Sequence, residues 1–117
     1  MAPNIVFFMT DQLRRDALGC YGNEVCKTPN LDKIAAEGTR FDQAYTVSPV
    51  CSPSRAALMS GLYPHNNGVM INTHIAPTRN RGLPKETPTF SRQLKEAGYV
   101  LDYAGKWHVN EDLGPEE

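Results

Sequence analysis

The segment Cys51-Ser52-Pro53-Ser54-Arg55 places a thiol directly before an expected helix start and a guanidinium inside the first turn. Ser52 suits the N-cap, Pro53 the first helical position, and Arg55 falls at the third. The open N–H groups and positive dipole end of such a helix favour an anion, and an arginine adds a fork of donors. A nucleophile at the lip of an anion pocket points to an enzyme acting on a sulfate-like or phosphate-like group.

Other residues could join that chemistry. Asp11 stands where the apolar run 5–9 should end. A carboxylate there either caps a turn or offers a charged oxygen to a hard divalent cation. Lys106 and His108 lie two apart after an expected strand, so on extended backbone both point one way, toward the sheet edge where Asp11 also lies. Asn72 and His74 sit in a long loop, where an asparagine is more often a turn former than a ligand contact. His65 is expected to stabilise the turn after the Cys51 helix, and Trp107 to pack into the core.

The elements that must position these residues alternate in type. Residues 4–10, 39–46 and 99–104 read as strands, the first continuously apolar, as in a parallel sheet covered on both faces. Three helices are punctuated alike, with a hydroxyl and proline at the start and glycine at the stop: Thr28-Pro29 to Gly38, Ser52-Pro53 to Gly61, and Thr87-Pro88 to Gly98. Leu31, Ile34 and Ala35 in the first helix, and Phe90, Leu94 and Ala97 in the third, form stripes expected to face a core. Residues 62–86 read as a long loop without period, and 110–117 as an acidic tail. The order predicts an α/β layered architecture as one unit without an internal boundary.

Composition narrows the class. The 117 residues are 40% hydrophobic and 21% charged, as in globular chains. Twelve basic and thirteen acidic residues leave a formal charge of −1 with no basic stripe, which argues against nucleic acid as the main partner. No apolar run is long enough for a membrane span, and none has the flanks of a signal peptide, so the chain is expected to be cytoplasmic. Cys20, Cys26 and Cys51 lack zinc spacing, and the first two are expected to be ordinary thiols. Oligomeric state leaves no mark in the sequence.

The Cys51–Arg55 segment resembles the C-x-P-x-R signature of the type I sulfatases, and four further blocks resemble that family in its own order. They are Asn4-Ile5-Val6-Phe7-Phe8-Met9-Thr10-Asp11, Thr28-Pro29-Asn30-Leu31-Asp32, Ser60-Gly61-Leu62-Tyr63-Pro64-His65 and Gly105-Lys106-Trp107-His108. The resemblance implies the N-terminal portion of an alkaline-phosphatase-like α/β fold, a sheet with helices on both faces. It implies that a maturation enzyme converts Cys51 to formylglycine, whose metal-bound hydrate attacks the sulfur of a small-molecule sulfate ester. Asp11 would then be a metal ligand, together with residue 51. Arg55 would orient the hydrate, and Lys106 and His108 would contact sulfate oxygens, with one or the other also stabilising the leaving oxygen. Asn72 resembles a substrate-contacting asparagine of the phosphonate hydrolase branch.

Gln12 departs from the commoner family pattern, which has a second aspartate there. The change resembles choline-sulfatase-like and phosphonate monoester or phosphodiester hydrolases; of the divalent ions calcium, magnesium, manganese and zinc, it argues against calcium and leaves the other three open. The family's further ligands have no counterpart after Lys106. The resemblance therefore also admits a non-catalytic fragment or a binding module, and the chain alone is expected to lack turnover.

Overall fold

The computed structural model describes residues 2–75, 82–110 and 114. Most of the expected acidic tail and residues 76–81 of the expected loop lie outside them. The backbone forms two compact units, Met1–Ala44 and Tyr45–Glu117.

In the first unit, α1 (Pro29–Glu37) starts at the expected proline and stops at Gly38. The Thr28 hydroxyl does not cap it. Instead it accepts from Gly19 N at 2.8 Å and pairs with Asp32 Oδ1 at 3.0 Å, while Cys20 N donates to the same carboxylate oxygen at 2.6 Å. Thr28 and Asp32 thereby hold the 3-10 turn Gly19–Tyr21 against the start of α1. A Cβ at position 19 would lie 2.6 Å from Asp32 Oδ2, so a larger residue there would displace the carboxylate that holds the turn. The Tyr21 ring receives the guanidinium groups of Arg15 and Arg40, 5.5 and 5.4 Å from its centroid. Its hydroxyl donates to Phe41 O at 2.7 Å.

The second unit contains α2 (Cys51–Ser60), α3 (Pro64–Asn67), a 3-10 turn at Thr73–Ile75, and α4 (Phe90–Glu96). Its core joins Ala56 of α2 to Val69, Leu83 and Val109, with Met59 and Trp107 packed against them. Trp107 therefore packs as expected. The small side chains Ala56 and Ala57 are both buried, which lets other segments close on this face of α2.

Several expectations are corrected. α2 begins before Ser52: Val50 is extended and its carbonyl accepts the first helical bond, from Ser54 N at 3.0 Å, so Cys51 is the first helical residue. Likewise α4 is capped by Thr89, whose hydroxyl accepts from Arg92 N, and not by Thr87. Its end does match, with Gly98 N bonded to Lys95 O and Tyr99 N to Leu94 O around a glycine at φ +89°.

The expected loop is not structureless as far as residue 75, because α3 and the Thr73–Ile75 turn lie within it. Buried Asn67 organises the exit from α3, its amide donating to Leu62 O and its Oδ1 accepting from Val69 N.

The expected strands 4–10, 39–46 and 99–104 take no part in a ladder among the described residues. The β pairing described is a single antiparallel bridge between Gly82 and Asn110. Val6 and Phe8 are 89% and 77% exposed. A continuous apolar run records that a segment is suited to burial on both faces, not which segment covers it. The α1 stripe is not a core face here either, with Ile34 66% exposed.

Candidate functional site

The second unit brings most of the singled-out residues together around the start of α2. Cys51 is half-buried in the first turn, and its thiol is free. No side chain within the helix caps this end. The cap comes from outside: Asn72 Oδ1 accepts from Ser52 N at 3.0 Å, and Ser52 Oγ accepts from Thr73 N at 3.2 Å. This reciprocal pair satisfies one open helix-end donor and docks the 72–74 segment on the turn that carries Cys51. Ser52 is fully buried as a result. Its hydroxyl therefore serves the docked loop and not its own helix.

One turn into α2, Arg55 is 8% exposed. Its Nη1 donates to Lys106 O at 2.5 Å, and the Tyr103 hydroxyl donates to the same oxygen at 2.5 Å. Two donors from different segments thus fix the backbone at Lys106. Tyr103 also meets Trp107 edge-on, with ring centroids 5.3 Å apart. The Lys106 side chain is exposed, and the His108 side chain is half-buried.

The backbone from 106 to 108 is not simply extended, since Gly105 lies at φ +112° and His108 at φ +53°. Strand alternation therefore does not govern where Lys106 and His108 point. A non-glycine residue in the left-handed region costs about 1–2 kcal/mol, and such positions persist where surrounding contacts over-determine them. Gln12 beside Asp11, at φ +58°, is the other such residue among those described.

His74 and His108 form a direct contact. His74 Nδ1 lies 3.1 Å from His108 Nε2, and the rings stack with centroids 5.3 Å apart and planes 20° from parallel. His65 stacks on Tyr63 at 5.7 Å, bracketing the start of α3, in keeping with the turn role expected of it.

Asp11 belongs to the first unit and is exposed. Among the described residues no group of three or more His, Cys, Asp or Glu side chains is placed to hold a metal ion. The first unit also has an open depression of about 560 Å³ lined by Cys20, Cys26, Lys27, Asp32 and Arg40 among others. Its polar groups are spent within the fold: Asp32 on the turn described above, Arg40 on Asp42 and Cys20 O, Lys27 on Glu24 O.

Sequence reasoning missed Ser52 and Tyr103 as partners in this arrangement. Hydroxyl residues carry no signal of which distant segment they will bond. No helix among the described residues is long and apolar enough to cross a membrane.

A family model described as Sulfatase matches residues 3–112. The chain is 44% identical over 108 residues to the uncharacterized sulfatase YidJ of Escherichia coli, covering 92% of this chain and 20% of that protein. It is 43% identical over 114 residues to human arylsulfatase A, covering 97% and 22%. The structure of BT4656, in complex with its substrate D-glucosamine-2-N,6-O-disulfate, superposes with a TM-score of 0.81 at 38% identity, over 94% of this chain and 21% of that one. The chain thus spans about a fifth of the length of the curated relatives it matches. A match running through nearly every described residue, in sequence and in backbone alike, makes this chain a member of the sulfatase family.

Proposed function

We propose that this chain carries the nucleophile-bearing part of a sulfate ester hydrolase, with Cys51 as the precursor of a formylglycine. The observation that carries the reading is the tie between α2 and the 106–108 segment. Buried Arg55 bonds Lys106 O, so the turn holding residue 51 and the segment carrying Lys106 and His108 form one assembly. When formed, the aldehyde hydrate would supply the nucleophile. The chain's own residues bind and orient: Lys106 and His108 offer donors to sulfate oxygens and to the leaving oxygen, and Arg55 holds their backbone in place.

Asp11 is proposed as one metal ligand. The described residues do not place a full ligand set together, so further ligands would come from a longer chain of the relatives' length. The same longer chain would supply the neighbours that complete an alkaline-phosphatase-like sheet around residues 4–10. The substrate is proposed to be a small-molecule sulfate ester, with BT4656 and its sulfated glucosamine as the precedent among the matched structures.

Intact-mass and peptide analysis after coexpression with a formylglycine-generating maturation enzyme tests the nucleophile. The expected result is a thiol-to-aldehyde mass loss confined to the peptide carrying residue 51. An unmodified thiol sinks the proposal. Grafting residues 1–117 in place of the matching part of Escherichia coli YidJ then tests substrate class, with faster turnover expected on an aryl sulfate than on an aryl phosphonate. The Gln12 resemblance gains if that order reverses.

A further inference from the structure

We propose that His74 is a positioning residue for His108, holding that ring in one tautomer and one orientation. The proposal rests on the reading of His108 as a sulfate-contacting group and deepens it. The facing nitrogens, His74 Nδ1 and His108 Nε2, are 3.1 Å apart. A neutral imidazole has one N–H and one lone pair, so a bond between two such rings needs one donor and one acceptor, and each tautomer dictates the other. An unpartnered imidazole exchanges tautomers and turns about its last side-chain bond. A paired one cannot turn without breaking the bond, and changes tautomer only together with its partner. The near-parallel stack, 20° between planes, adds an apolar contact over the ring faces.

The backbone supports the same role. His74 sits in the Thr73–Ile75 turn, and Thr73 N is bonded to the buried Ser52 hydroxyl while Asn72 caps Ser52 N. Residues 72–74 are therefore a strut. One end grips the turn carrying Cys51 and the other grips the ring of His108. His108 itself has a left-handed backbone, so its ring direction depends on contacts that no strand register supplies. The tautomer matters because, with Nε2 turned to His74, the nitrogen left for an oxyanion is the buried Nδ1, which carries a proton to donate only when His74 Nδ1 is the donor of the pair.

Nitrogen-15 NMR of the imidazole rings in the 117-residue chain reads the tautomer directly and needs no turnover. In the unaltered chain, His108 should show two well-separated ring-nitrogen shifts, those of a single tautomer. Averaged shifts there overturn the proposal without any variant.

His74→Phe keeps a stacking ring and removes the nitrogen, and should collapse the two shifts toward one value. His74→Asn, whose side-chain amide reaches the position of Nδ1, should restore them. Unchanged His108 shifts in His74→Phe overturn the proposal. If His74→Phe fails to fold, His108→Phe reads the pair from the other side: His74 should lose its own tautomer preference, and an unchanged His74 overturns the proposal equally.

In the YidJ graft, His74→Phe should lower kcat with KM for the aryl sulfate changed less, with recovery in His74→Asn. Absence of sulfatase activity in the unaltered graft would count against the functional reading alone, since the ring shifts do not depend on it.

Discussion

Residues 4–11 and the start of α2 are both expected to deliver chemistry, yet the structure treats them differently. The first is an apolar run ending in Asp11, exposed at Val6 and Phe8 and in no ladder among the described residues. The second is held by contacts from far along the chain: Asn72 and Thr73 on Ser52, Lys106 O on Arg55, Val69 and Val109 against Ala56. A helix satisfies its interior backbone groups by itself and needs outside help only at its ends and along one face. A strand satisfies none of its backbone groups alone. Helix-borne residues therefore find their place with few partners, whereas strand-borne ones depend on the rest of a sheet.

Substitutions can break that contrast. The largest effect is expected from Arg55→Ala, which removes a buried charged donor and the packing of its stem. A loss of about 2–3 kcal/mol is expected for the second unit, read from its amide signals in a urea titration. An equal loss from Tyr103→Phe, which removes only the second donor to Lys106 O, would shift the weight from the arginine to the carbonyl itself.

Asn72→Ala should cost about 1 kcal/mol, as for loss of an N-cap, even though the cap lies twenty residues along the chain from the N–H it satisfies. Amide exchange at Ser52 should rise with it, while α4, capped by its own Thr89, should not respond. Exchange unchanged at Ser52 would show that the docked loop does not support the turn.

The smallest effect belongs to the first region. Val6→Thr should move stability by less than about 0.5 kcal/mol, because Val6 is already 89% exposed. A larger loss in this chain would reveal burial of the run that the structure does not show.

Much of the arrangement was legible in the sequence. Proline and glycine marked α1 at both ends and the Schellman stop of α4, because φ restriction and left-handed tolerance are properties of single residues. Helix starts were read less well. Ser52 and Thr87 both look like caps, but a hydroxyl bonds whichever donor reaches it, and for Ser52 that donor is Thr73 N. The ordered family blocks singled out Cys51, Arg55, Lys106 and His108, and the structure ties Arg55 to Lys106.

Local sequence thus determined α1, α2 and α4 with their glycine stops, and the family, since these follow from residue types and close spacing. Tertiary structure alone decided that Asn72 caps α2, that Arg55 and Tyr103 share one carbonyl, and that His74 faces His108. Those contacts join residues between 3 and 51 positions apart. Donors and acceptors along a chain do not encode their distant partners. Only the packing of α2 against Val69, Leu83 and Val109 brings them within reach.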